Sequence, residues 1–247
     1  METIFYQTFR IVSLKNFGVF KMFDVYYLIL VVPALLLSMW AQVKVKSTFE
    51  AFSKEAVARG ITGAQAAAYL LKANNITDVK IEKVAGSLTD HYDPSHKVLR
   101  LSEPVYGKAS IAAVGVAAHE TGHAIQHATK YGPLVLRSTL VPVANIGSAI
   151  GPTLAILGLV LSFGFLVDIG LLLFAGAVLF YVVTLPVEFN ASRRAIEILG
   201  KSGAMNQTEL KGVKKVLSAA AMTYVASALS AIGNFVRLLL ISRNRRS

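Results

Sequence analysis

The sequence predicts a mainly α, polytopic membrane protein carrying a small β-sheet. Three observations lead there. Of the 247 residues, 54% are hydrophobic and 16% charged, with a mean hydropathy of +0.56, too apolar for an ordinary soluble domain. About four stretches are apolar and long enough to cross a hydrocarbon core of ~30 Å. Between the first and second of these, two short runs alternate apolar and polar residues, the pattern of half-buried strands.

The spans come first. Residues 1–24 read as an N-terminal extension. The first span, 25–43, is uncharged and ends near Trp40, a suitable interfacial anchor. Residues 139–187 read as a transmembrane hairpin of Val141–Leu166 and Ile169–Val187, separated only by Val167-Asp168. Its first arm is rich in Gly and Ala, which suits close helix packing. The fourth span, 216–241, is weakened at its end by Asn234 and Arg237, and 242–247 is a basic tail. There is no internal repeat and no low-complexity tract.

A net charge of +11 raises the question of nucleic acid, but no basic-aromatic binding module is present. The cations flank the spans instead. Lys44, Lys46, Lys54, Arg59, Lys130, Arg137, Arg193, Arg194, Lys201, Lys211, Lys214 and Lys215 fall on one side. Arg10, Lys15, Lys21, Arg237, Arg243, Arg245 and Arg246 fall on the other. The positive-inside rule therefore places residues 44–138 on the cytoplasmic side of a multi-pass cell-membrane protein. No cysteine is present, which excludes a disulfide framework, a thiolate metal site and a cysteine nucleophile.

Within 44–138, Ser47–Arg59 and Gly63–Ala73 read as short helices, the second opened by a Thr62-x-x-Gln65 capping box. Val79–Val84 and Lys97–Ser102 read as strands, with 89–94 a polar turn between them. The Asn-x-Thr sequons at Asn75 and Asn206 read as a helix end and, with Glu209, a capping box, rather than as glycosylation sites. Ser110 is the expected N-cap of an alanine-rich helix, and Gly132-Pro133 its stop signal.

That helix carries the most informative residues, His119-Glu120-Thr121-Gly122-His123. Residues four apart share one face of a helix. Two imidazoles so placed can grip one Zn2+, and the Glu beside the first can act as base on the water that zinc activates. Gly122 lowers helix stability by about 1 kcal/mol relative to Ala. It would let a backbone or a substrate approach, or is simply tolerated.

A catalytic zinc takes three protein ligands and keeps one open position. Position 129 is Thr, so the three-His pattern with ten-residue spacing is excluded. His127 continues the stripe but lies a further turn along, which suits a supporting role better than a ligand. His91 and His96 sit on the polar turn. Glu188 is the preferred third ligand, since a hairpin would return it to the side of the two histidines and a carboxylate at the lip of a span needs a partner. Pairing with Arg193 or Arg194 is the alternative. Asn190, Ser192 and Arg194 could support the ligands from outside. The order of two helices, a small sheet and then this helix is that of a zincin-like metallopeptidase domain. By that analogy Lys97–Ser102 is expected to be an exposed sheet edge that takes an extended peptide.

The chain resembles the YugP-type family of membrane zinc metallopeptidases from about Met22 to Leu240. The resemblance rests on AQVKVKSTF (41–49), LTDHYDP (88–94), RLSEPVY (100–106), AAHETGHAIQH (117–127), VTLPVEFNASRRA (183–195) and VLSAAAMTYVA (216–226). It implies a gluzincin-like site with His119, His123 and Glu188 as zinc ligands, Glu120 as base, and 188–215 as a third-ligand helix and loop. Gluzincins commonly carry an acid four residues after the ligand Glu, where this chain has Ser192. Because the resemblance begins near Met22, translation is expected to start there.

The expected reaction is peptide-bond hydrolysis, with Tyr92 or His91 as candidate oxyanion donor and a peptide or membrane protein as substrate. The alternative is a non-catalytic zinc-binding membrane scaffold or adaptor. An ion transporter would need more polar groups within the spans than Asn145 and Asn234.

Overall fold

The computed structural model describes residues 24–246, and the expectations for the extension and for a start at Met22 lie outside them. A π-helical turn, Tyr27–Val31, leads into α1, Val32–Ser53. Then come α2 (Gly63–Ala73), β1 (Lys80–Val84), β2 (His91–Asp93), β3 (Val98–Ser102) and a short α3 (Glu103–Tyr106). The motif helix α4 is Ile111–Ala128, and after it come α5 (Gly132–Val160), α6 (Gly164–Lys201) and α7 (Gln207–Arg246). The protein is thus mainly α, and α1 with its leading turn, α5, α6 and α7 are each long and apolar enough to cross a membrane. The described residues form two compact units.

The first unit comprises 24–37, 140–181 and 227–246. Its core is Ala155, Leu159, Val167, Leu171, Phe174, Ala177 and Leu238. The hairpin packs through missing side chains: a Cβ at Gly170 would lie 2.4 Å from the Ala155 nitrogen, and one at Gly158 2.6 Å from the Val167 nitrogen. This is the close approach that small residues permit between apolar helices. The hairpin turn falls at 161–163, earlier than the expected Val167-Asp168, which lies inside α6. The turn is a Schellman end: the Phe163 N–H reaches the Gly158 carbonyl and the Ser162 N–H the Leu159 carbonyl, with Ser162 at φ 56°. An apolar run that resumes after Ser162 and continues to Leu166 hid this stop, because here serine occupies the left-handed position usually given to glycine.

Near the end of α7, Arg237 is buried, donates from Nε to the Asp24 carboxylate at 2.9 Å, and lies 5.2 Å from the centroid of the Tyr27 ring. The helix continues to Arg246, so Arg237 does not break it.

The second unit comprises 38–139 and 182–226. Its sheet has the order β1-β3-β2, with β3 parallel to β1 and antiparallel to β2. Lys97–Ser102 is therefore not the edge: β3 is the central strand, and its backbone is paired on both sides. The expected polar turn at 89–94 contains β2, three residues too short and polar to show as a strand. Leu99 and Leu101 pack with Val105, Ala112 and Ala117 against α4. A second cluster joins Leu70, Val114, Ala118, Leu199, Val213 and Leu217.

Helix ends match the sequence closely. Thr62 and Gln65 form the reciprocal capping box. Asn206 accepts from the N–H groups of Thr208 and Glu209 while Glu209 accepts from the Asn206 N–H. Asn75 takes φ 57° at the end of α2. Two expectations change. Ser47–Arg59 is not a separate helix, since α1 runs on to Ser53 and then stops. Gly132-Pro133 opens α5 rather than ending α4, in line with the preference of proline for a first helical turn.

Candidate metal centre

Helix α4 begins at Ser110, whose Oγ accepts the Ala113 N–H, and runs unbroken for 18 residues, which sets His119 and His123 on one face. Glu120 on the same helix is buried. Helix α6 brings the third member. A Cβ at Gly122 would lie 2.7 Å from the Ala191 carbonyl oxygen, so the absence of a side chain there is what lets the α6 backbone close on α4. One turn before Ala191 is Glu188, 2% exposed.

Ligand-type atoms of His119, His123 and Glu188 all lie within 4.8 Å of one another. Glu188 Oε2 is 3.3 Å from His119 Nε2 and 3.5 Å from His123 Nε2. Glu188 Oε1 is 3.3 Å from the Arg137 guanidinium, not from Arg193 or Arg194. Burying a carboxylate costs free energy unless it is paired and hydrogen-bonded. Yet Glu188 Oε2 is buried and makes no hydrogen bond of good geometry. An acceptor left over between two imidazole nitrogens suits a cation rather than a proton donor, and two imidazoles with one carboxylate are a donor set fit for zinc.

The outer nitrogens of both rings are held. His123 Nδ1 is 3.0 Å from Gln126 Oε1. The orientation of that amide is fixed, because Gln126 Nε2 donates to the Val187 carbonyl at 2.8 Å and to Asn190 Oδ1 at 3.0 Å. The His123 proton therefore belongs on Nδ1 in the neutral ring, leaving the Nε2 lone pair toward Glu188. Asn190 Oδ1 also accepts from Arg194 Nε at 2.7 Å. His119 Nδ1 is 3.1 Å from Ser192 Oγ. Burial pushes the His123 pKa down, but the adjacent carboxylates of Glu188 and Glu120 outweigh it, and the net shift is upward.

The candidates thus separate. His119, His123 and Glu188 come together, and Asn190, Ser192 and Arg194 stand around them. His127, Tyr92 and His91 make their hydrogen bonds elsewhere. The Tyr92 hydroxyl is 2.8 Å from His127 Nδ1, and burial with the nearby Asp78 and Asp93 charges pushes its pKa up to about 12. His91 is exposed, against the Thr89 carbonyl and Arg100. Sequence reasoning missed Gln126, Arg137 and Tyr224, the last of which lies beside Glu188 and within the field of Glu120. Gln126 carried one signal in the sequence: it lies three residues after His123, on the same face of the motif helix.

The fold and this cluster define a mainly α protein with, among the described residues, four membrane-length helices and a His-His-Glu site of zinc-binding type whose glutamate is buried. The chain belongs to the family described as "Putative neutral zinc metallopeptidase", whose model matches residues 27–243. It is 50% identical over 220 residues to "Putative membrane protease YugP" of Bacillus subtilis (strain 168), an alignment covering 89% of this chain and 98% of that relative. No solved structure matches it.

Proposed function

We propose that this chain is a zinc-dependent endopeptidase of the cell membrane, of gluzincin type, acting on the cytoplasmic side on extended segments of membrane-associated or unfolded proteins. The observation that carries the reading is the buried Glu188 Oε2, without a hydrogen bond, set between two imidazole Nε2 atoms on a His-Glu-x-x-His helix. His119, His123 and Glu188 would hold zinc, which when bound supplies a Lewis acid and a water acidified toward a pKa of ~7.

The chain's own residues do the rest. Glu120, one residue from the first ligand, takes the proton of the attacking water and returns it to the leaving amine. Gln126 and Ser192 hold the imidazoles in orientation, and Arg137 holds the free oxygen of Glu188. A cavity of about 570 Å³, lined by Pro94, Ser95, Gln126, His127, Lys130, Leu134 and Val135 among others, adjoins the ligand-holding Gln126 and gives an extended substrate room. Of the two candidate substrate contacts, Tyr92 reaches this cavity through its hydrogen bond to the lining His127, whereas His91 is turned to Thr89 and Arg100.

Purified protein in detergent should contain about one zinc per chain and cleave an unfolded polypeptide. Glu120→Gln should keep the zinc and lose cleavage. Full proteolysis by zinc-replete Glu120→Gln would refute the assigned base. Stoichiometric zinc without turnover of any peptide library would favour the scaffold instead.

A further inference from the structure

A second cavity, of about 830 Å³, lies within the second unit and shares no residue with the metal cluster. Two helices make its walls. From α1 come Trp40, Lys44, Ser47, Thr48, Ala51 and Phe52; from α7 come Lys211, Lys214, Lys215, Ser218, Ala219 and Met222. No acid is among these lining residues. One part is apolar, with Trp40, Phe52, Ala219 and Met222, and the other carries four ammonium groups. Lys215 Nζ lies 5.9 Å from the centroid of the Phe52 ring, where the two parts meet.

The two walls change character together. The uncharged run of α1 ends at Val43, and Lys44 and Lys46 come at once after it. The apolar run of α7 starts at Val216, directly after Lys214 and Lys215. A tryptophan at such a transition, 51% exposed, is typical of the headgroup level of a bilayer. Lysines just outside the hydrocarbon attract anionic lipid. An ordinary positive-inside flank offers charge alone. This one adds an apolar-walled recess continuous with the charge, which is the shape of a molecule with an anionic head and a hydrocarbon tail.

We propose that this cavity is a binding site for an anionic phospholipid, its phosphate among Lys44, Lys211, Lys214 and Lys215 and its acyl carbons along Trp40 and Met222. The inference stands whether or not the metal site is catalytic. It requires only that the helices sit in a bilayer.

The chain has a single tryptophan, and it lines this cavity, so tryptophan fluorescence reports from the cavity wall. The full-length protein is reconstituted into vesicles of dioleoylphosphatidylcholine doped with dibrominated phosphatidylglycerol or, in parallel, dibrominated phosphatidylcholine. At low dopant fraction the anionic brominated lipid should quench Trp40 the more strongly. Replacing the four lysines by Gln should reduce that preference about thirtyfold, the weight of two of the four lysines at an anionic surface. The matching Lys→Arg variant should keep it, which separates lost charge from lost fold. Equal quenching by the two lipids, or a preference that survives the Gln substitutions, would overturn the proposal. So would a soluble acidic peptide that shifts Trp40 emission while the lipids show no preference, since that would assign the cavity to a polypeptide.

Discussion

Gly170 and Gly122 perform the same steric task in different units, with different consequences. At Gly170 the absent side chain lets α6 meet the backbone of Ala155 and Gly151 on α5, in a unit whose core is Leu159, Leu171 and Phe174 with other apolar side chains. Close approach there yields dispersion contact and nothing else. At Gly122 the absent side chain lets the Ala191 backbone of α6 meet α4, and one turn away a carboxylate lands between two imidazoles. A glycine in an apolar helix contact is thus no sign of function by itself. It becomes one when the neighbouring turns carry groups that are costly to bury.

The largest effect that sharpens this contrast comes from the ligands. Glu188→Ala or His123→Ala should lower zinc, measured by metal analysis, from about one per chain to background, because two remaining donors do not make a zinc site. Stoichiometric zinc in His123→Ala would remove the assignment. Next, Gly122→Val should cost ~1–3 kcal/mol by overpacking and lose zinc as well. Gly170→Ala should cost a similar amount and leave the zinc content of the folded fraction unchanged. Thermal melting in detergent with metal analysis on the same samples checks both, and equal zinc loss in the two variants would erase the distinction.

A smaller effect is expected at Gln126. Gln126→Leu frees the His123 ring, so zinc affinity by chelator competition should fall ~10–100-fold while the helices stay formed. Acidity acts on the same ring. The folded-state His123 pKa is raised, so its proton is held to higher pH than on an ordinary histidine of ~6.5. Zinc affinity should then climb as pH rises through that raised value and fall below it; an affinity flat across this range would contradict the shift. The smallest effect belongs far from the metal: Thr62→Ala removes the α2 cap and should cost ~1 kcal/mol with zinc binding untouched.

Much of this architecture was legible because local chemistry announces itself. Ser110, Thr62 and Asn206 mark helix starts by hydrogen bonds that involve only near neighbours. The spans show through composition, and His119, Glu120 and His123 through spacing. Glu188 could be picked out because a carboxylate beside an apolar run lacks an obvious solvent. The features that escaped depend on contacts between distant segments. Arg137 has the sequence character of a flanking cation and lies against Glu188. Gln126 is one amide among several until Val187 and Asn190 arrive to fix it. The central place of Val98–Ser102 depends on β2, whose three residues His91-Tyr92-Asp93 carry no strand signal of their own. The hairpin turn carries no sequence signal, because Ser162 does what a glycine would have advertised.

Helix α6 is one continuous helix of 38 residues that holds both a membrane-length apolar run and Glu188. The two histidines precede that glutamate by 65 residues or more in the chain. At 5–20 residues per second, a ribosome needs roughly 3–13 s to travel from His123 to Glu188. For that interval the nascent protein holds only two of the three donors, whatever metal surrounds it. On the proposed reading, a site that waits on its own late helix would stay idle during synthesis, when the chain and its neighbours are unfolded and most easily cut.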